Sequence, residues 1–184
     1  MNRVLCSTKY LELKSTKSKT GGDWVYAHRP NAKDVVVILP YTEDEVLFLI
    51  EERPPIQAEN RGKYCVALPA GLVGDERIGE TIEDAIKAEL KEEAGLEAES
   101  VEIVAKTVSS SSGCLSETCT LCLAKIKEKN PVCPPISDGG VIVDRIWVKK
   151  SEIFNWLNQK EKEGFVLTGQ TLACLYYLDN MREK

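Results

Sequence analysis

Apolar positions come in short blocks over the first part of the chain and change to helical spacing near residue 81. Leu5 to Thr16 and Trp24 to Arg29 read as two short strands, separated by a Lys/Ser/Thr stretch that ends at Gly21-Gly22, a hairpin signal. Val35 to Leu39 and Glu45 to Glu51 are more apolar strands, joined by the turn-like Tyr41-Thr42-Glu43-Asp44. Pro54 and Pro55 break this pattern, and Gln57 to Lys63 reads as a polar loop of the kind that often sits over a site. Tyr64 to Leu68 is a further strand, after which Pro69-Ala70-Gly71 opens a turn. The run to Glu80 holds Gly71, Gly74 and Gly79, where a ligand can approach the backbone.

From Thr81 to Ala94 the residues Ile82, Ala85, Ile86 and Leu90 repeat as one face of a helix, with Thr81 as N-cap and Gly95 as stop. Strands follow at Val101 to Val108, Thr118 to Lys127 and Val141 to Val148, with a Pro- and Gly-rich connection from Asn130 to Gly140. Ser151 to Lys162 and Thr168 to Met181 read as closing helices. Strands in mixed order with helices outside them predict an α/β or α+β sandwich.

A chain of 184 residues with 43% hydrophobic side chains buries one good core and is short for two typical domains. The formal charge of -5 argues against a nucleic-acid partner, which calls for clustered Lys and Arg. No run approaches the ~18 apolar residues of a membrane span, and no leader pattern is seen at Met1 to Thr20, so a cytoplasmic protein with no membrane partner is expected. Seven scattered cysteines, several inside strand-like segments, read as reduced buried thiols. Cys119 and Cys122 form a C-x-x-C, but their odd separation in a strand puts the thiols on opposite faces.

The helix beginning at Thr81 carries the candidate chemistry. Glu89, Glu92 and Glu93, related by i, i+3 and i+4, project from one helix face and repel one another by roughly a few tenths of a kcal/mol. Lys91 lies on another face and Lys87 is only partly placed to help. A hard divalent cation with oxygen ligands would compensate the charge, the alternative being a solvated acidic face.

The longer pattern decides between these. Gly74, five residues, Glu80, seven residues and then Ala88-Glu89-Leu90-Lys91-Glu92-Glu93-Ala94-Gly95-Leu96 resembles the Nudix box, G-x5-E-x7-R-E-U-x-E-E-x-G-U, missing only the arginine. The resemblance implies the Nudix fold, a mixed β-sheet sandwiched between helices, and Mg2+ or Mn2+ as cofactor. By position, Glu89 and Glu93 look like the principal metal ligands, Glu92 a further ligand or water-orienting group, and Glu80 the support of the helix.

Glu51-Glu52-Arg53, Pro54-Pro55 and Ala67-Leu68-Pro69-Ala70-Gly71 extend the likeness to the ADP-ribose and nucleotide-sugar pyrophosphatases, whose usual run is Gln-x-Arg, a Pro loop and Glu-Leu-Pro-Ala-Gly. Arg53 is then a candidate grip on a phosphate or ribose, or else an ordinary ion pair. The resemblance also implies a dimerising N-terminal hairpin (residues 1–32) ahead of the Nudix domain (residues 33–184), and hence a homodimer. Tyr10 and Trp24 stand where aromatics would stack on the base, although Trp24 and Tyr26 are equally suited to packing a strand. Arg29 is a weaker candidate for a phosphate contact. Glu117, after Ser112-Gly113-Cys114-Leu115-Ser116, resembles a glutamate near the distal part of the substrate.

Four departures stand out. Ala88 replaces the box arginine, which in the family braces the glutamates. Gly71 lies three residues ahead of Gly74, as if the loop carried an insertion, in which case the Ala70 carbonyl keeps its family role as a metal ligand; otherwise Val73 takes it. Ala67 stands where a glutamate is usual. The family's late general base finds its nearest counterpart in Asp138 of Asp138-Gly139-Gly140, with Asp144 weaker. The expectation is hydrolysis of ADP-ribose or a related nucleoside diphosphate sugar; the rivals are a weakened Nudix domain that binds a nucleotide sugar as a sensor, and a Nudix enzyme for a dinucleoside polyphosphate or a coenzyme.

Overall fold

The computed structural model describes residues 2–74, 79–132 and 141–180. Two sheets organise them: a three-stranded antiparallel sheet at the N-terminus and an eight-stranded mixed sheet with helices on both faces.

The first sheet consists of β1 (Arg3–Ser7), β2 (Glu12–Lys17) and β3 (Asp23–His28). The apolar run read as one strand from Leu5 to Thr16 is therefore two strands. The break is made by Thr8, whose hydroxyl accepts the Leu11 N–H at 2.9 Å and the Tyr10 N–H at 3.2 Å. A side chain bonding to the backbone in this way makes a turn without glycine or proline.

In the main sheet, β4 (Asp34–Tyr41) and β5 (Glu45–Glu51) are almost wholly buried runs, as strands covered on both faces must be. They pair only at Tyr41 and Val46, next to their hairpin, and then splay apart. The edge of β4 is taken by β7 (Ala70–Val73), while β5 pairs with β6 (Cys65–Ala67) and β10 (Ile142–Lys149). Beyond β4 lie β9 (Thr118–Ile126), parallel to it, and β8 (Ala98–Ser109); β11 (Val166–Leu167) closes the other edge. Residues expected to be a turn at Ala70-Gly71 are thus a strand, and a short helix α1 (Pro54–Ala58) occupies part of the expected loop.

Alternation along β4 sorts the core into two layers. Val37 and Leu39 face α3 (Ile153–Lys162) and α4 (Gly169–Asn180), and Val36 and Ile38 face α2 (Ile82–Glu89). Cys119 joins the first layer and Cys122 the second, so the C-x-x-C thiols do lie on opposite faces. The N-terminal sheet is attached through Ala27, whose N–H donates to the Cys114 carbonyl at 2.8 Å and whose carbonyl accepts from Ser116 N–H at 3.1 Å. Among the described residues, no helix is long and apolar enough to cross a membrane.

Candidate active site

Thr81 starts α2 as expected: its hydroxyl accepts the Asp84 N–H at 3.2 Å, and the Asp84 carboxylate accepts the Thr81 N–H at 3.3 Å. This reciprocal cap satisfies two donors that a helix start leaves open. The helix does not run to Ala94 in one geometry. From Leu90 to Ala94 it widens into a π-helical turn, and Gly95, at φ 70°, ends it in the left-handed region. Such single wide turns are frequent at functional sites.

Glu93 Oε2 accepts the N–H of Ala70 at 2.9 Å. Glu89 lies over the next residue of β7, so close that a β-carbon on Gly71 would stand 1.7 Å from its Oε1. Gly71 is what lets this carboxylate settle on the strand. Glu92 lines a cleft of about 550 Å³ with Glu80, Asp84, Lys87, Ala88 and Lys91. Among the described residues no three acidic, histidine or cysteine side chains converge as a ready-made metal cage.

Glu80 Oε2 accepts the Gly74 N–H at 2.9 Å, and Gly74 takes φ +82° beneath the aliphatic stem of Lys33. Two of the run's glycines therefore have contacts: Gly71 touches Glu89 and Gly74 binds Glu80. Ala70 makes its contact with Glu93 through its N–H, whereas the expected metal-ligand role belongs to its carbonyl. Glu89 and Glu93 offer oxygen donors only, which suits a hard divalent ion such as Mg2+ or Mn2+.

Arg29 and Glu117, chosen separately from the sequence, come together: Arg29 Nε lies 2.9 Å from Glu117 Oε2. They line a small cleft of about 110 Å³ with His28, Lys33, Asp34 and Ser116. Trp24 is half exposed and donates its indole N–H to the Gly113 carbonyl at 2.7 Å. Tyr10 is exposed in the turn between β1 and β2, with Lys9 Nζ 5.2 Å from its ring centre. Arg53 pairs with Glu51, Nη2 to Oε2 at 2.5 Å. Asp138 lies outside the described residues; Asp144, on β10, is exposed and its Oδ1 accepts the Arg145 N–H at 2.8 Å.

Two residues were missed by the sequence reading. Glu51 ends the apolar run of β5, and its side chain is only 2% exposed. Burial raises its carboxyl above the usual range, with the Arg53 guanidinium opposing. The signal was a carboxylate at the end of a wholly buried strand. The other is Arg145 of β10, whose Nε donates to the backbone carbonyl of Glu93. Its only sequence sign was parity with Trp147, which packs in the layer beneath α2.

The family model described as the NUDIX domain matches residues 30–166. Among solved structures, a crystal structure of an ADP compounds hydrolase is similar with a TM-score of 0.73 at 16% identity, over 100% of this chain and 92% of that one. Likeness at that identity is likeness of fold. No curated protein matches.

Proposed function

The chain belongs to the Nudix family, whose domain covers residues 30–166, and from that premise we propose that it hydrolyses the pyrophosphate bond of ADP-ribose or a related nucleoside diphosphate sugar. The products are a nucleoside monophosphate and a sugar phosphate. The observation that carries this reading is the delivery of two carboxylates, Glu89 and Glu93, onto adjacent residues of β7, one of them without a β-carbon. Glu89 and Glu93, with the Ala70 carbonyl and Glu92, would hold Mg2+ or Mn2+, which when bound neutralises a diphosphate and acidifies water.

The chain's own groups do the rest. Glu80 holds the loop ahead of α2 through the Gly74 N–H. Arg53 and Arg29 supply guanidinium groups for anionic oxygens, each already steered by a carboxylate, Glu51 and Glu117. Trp24 and Tyr10 present exposed rings on which a base stacks, worth ~1–3 kcal/mol per base. Asp138 is the proposed proton acceptor. The solved ADP compounds hydrolase of similar fold supports an adenine nucleotide as substrate. Exposed Val4 and Leu5 on β1, Leu11 in the turn and Leu13 on β2 support a homodimer formed through residues 1–32.

A screen of nucleoside diphosphate compounds with Mg2+, reading released phosphomonoester, tests the reading. ADP-ribose should yield AMP only with Mg2+ or Mn2+, and Glu93→Gln should lower the rate by at least about 100-fold, as loss of a charge acting in the transition state does. A protein stabilised by ADP-ribose that releases no AMP from it would instead be a nucleotide-sugar binding module.

A further inference from the structure

Glu92 and Glu93 sit where a helix tolerates carboxylates least. The last turn ends in carbonyls without helical donors and carries partial negative charge, so cations are favoured there and anions are not. Lys87 and Lys91 are exposed along the cleft that Glu92 lines, and Ala88 between them adds no charge. Four of the carbonyls at this end nevertheless have donors. Leu90 accepts from Leu96 N–H at 3.1 Å, Lys91 from Gly95 N–H at 3.0 Å, and Gly95 from Val132 N–H at 2.8 Å. The carbonyl of Glu93 takes its bond from a side chain on another element, Nε of Arg145.

β10 aims that side chain. Arg145 stands opposite Leu49 of β5. Trp147, on the same face, packs in the α2 layer, while Ile146 and Val148 turn to the layer beneath α3 and α4. Glu93 is consequently tied to two strands at once, by its carbonyl to β10 and by its carboxylate to the Ala70 N–H of β7.

We propose that Arg145 is a positioning residue of the active site, placing a guanidinium on the C-terminal end of the carboxylate helix so that Glu93 is held over Ala70 against the repulsion of its neighbours. The proposal rests on the reading of Glu89 and Glu93 as the cation-binding carboxylates. A guanidinium suits the task because it stays charged at any working pH and its planar fork fixes direction as well as charge. Coming from a strand, it supplies the cation that Ala88 does not.

The test measures Mn2+ binding to the substrate-free protein by titration calorimetry, alongside turnover and thermal unfolding with and without Mn2+. Arg145→Ala should weaken Mn2+ binding by about 10–100-fold, the range for residues that orient metal ligands, and should lower kcat with KM nearly unchanged. Arg145→Lys, which keeps the charge and most of the packing, should recover part of the binding and stands in for the alanine variant if that one fails to fold. Arg145 variants that bind Mn2+ as tightly as the wild type overturn the proposal alone, as does a fall in Tm that is equal with and without the ion. A wild-type protein that binds no Mn2+ sinks the functional reading, and this proposal with it.

Discussion

Replacing Gly71 by alanine should separate the stability of this protein from its activity. The new β-carbon would stand 1.7 Å from Oε1 of Glu89, 2.0 Å from its Cδ and 2.7 Å from its Oε2, where carbons prefer about 3.5–4.0 Å. An overlap of this size cannot be absorbed in place, so the carboxylate must leave. What moves is the far end of a flexible side chain, and an off-rotamer adjustment costs about 0.5–1.5 kcal/mol. Gly71 is not among the glycines with positive φ, so alanine regains about 0.4–1 kcal/mol from the restricted unfolded chain. The two nearly cancel, and Tm should stay within about 4 °C of the wild type. Turnover behaves differently, because displacing a catalytic group by an ångström costs about 100-fold, or about 2.7 kcal/mol of barrier. Thermal unfolding and Mg2+-dependent AMP release, measured on one preparation, read both quantities. Gly74→Ala is the contrast: at φ +82° a β-carbon is strained by about 1–2 kcal/mol, so its loss should appear first in stability. A Gly71→Ala protein with wild-type turnover would refute the functional weight placed on the Glu89 contact, and one that loses activity only along with its fold would refute the separation.

Two further outcomes follow from burial. Glu51 has a carboxyl raised from its ordinary value of 4.5, first by burial. A raised acid contributes stability while protonated and loses it as pH climbs from that ordinary value through the raised one, at up to about 1.4 kcal/mol per pH unit. Glu51→Gln should remove that part of the slope in urea unfolding above pH 4.5; unchanged slopes would count against a buried ionisable Glu51. Burial also pushes the Cys122 and Cys174 thiols up to about 12 and raises Cys65 and Cys119. Iodoacetamide at pH near 8 should therefore label exposed Cys6 and Cys114 and spare these four in the folded protein. Peptide mapping checks this, and rapid labelling of Cys119 or Cys122 would revive a redox reading of the C-x-x-C.

Local chemistry was legible from the chain alone. The period of Ile82, Ala85, Ile86 and Leu90, the Thr81 cap and the Gly95 stop each depend on neighbours within a few residues, and all three appear in the structure. The opposite-face placement of Cys119 and Cys122 was equally secure, since it follows from strand alternation alone. Spacing within the box led to the family, and the domain match over residues 30–166 agrees.

Tertiary packing decided what local periodicity could not encode. Ala70-Gly71 reads as a turn, yet becomes strand β7 because β4 splays from β5 and leaves an edge to be paired. The same rearrangement brings Glu89 and Glu93 over that strand. Arg145 lies 52 residues from Glu93 in the chain, and only the pairing of β10 with β5 lays it against the helix end. Residue spacing determines which way side chains point along one element; which element they then meet is set by the burial of the two apolar layers, a property of the whole sheet.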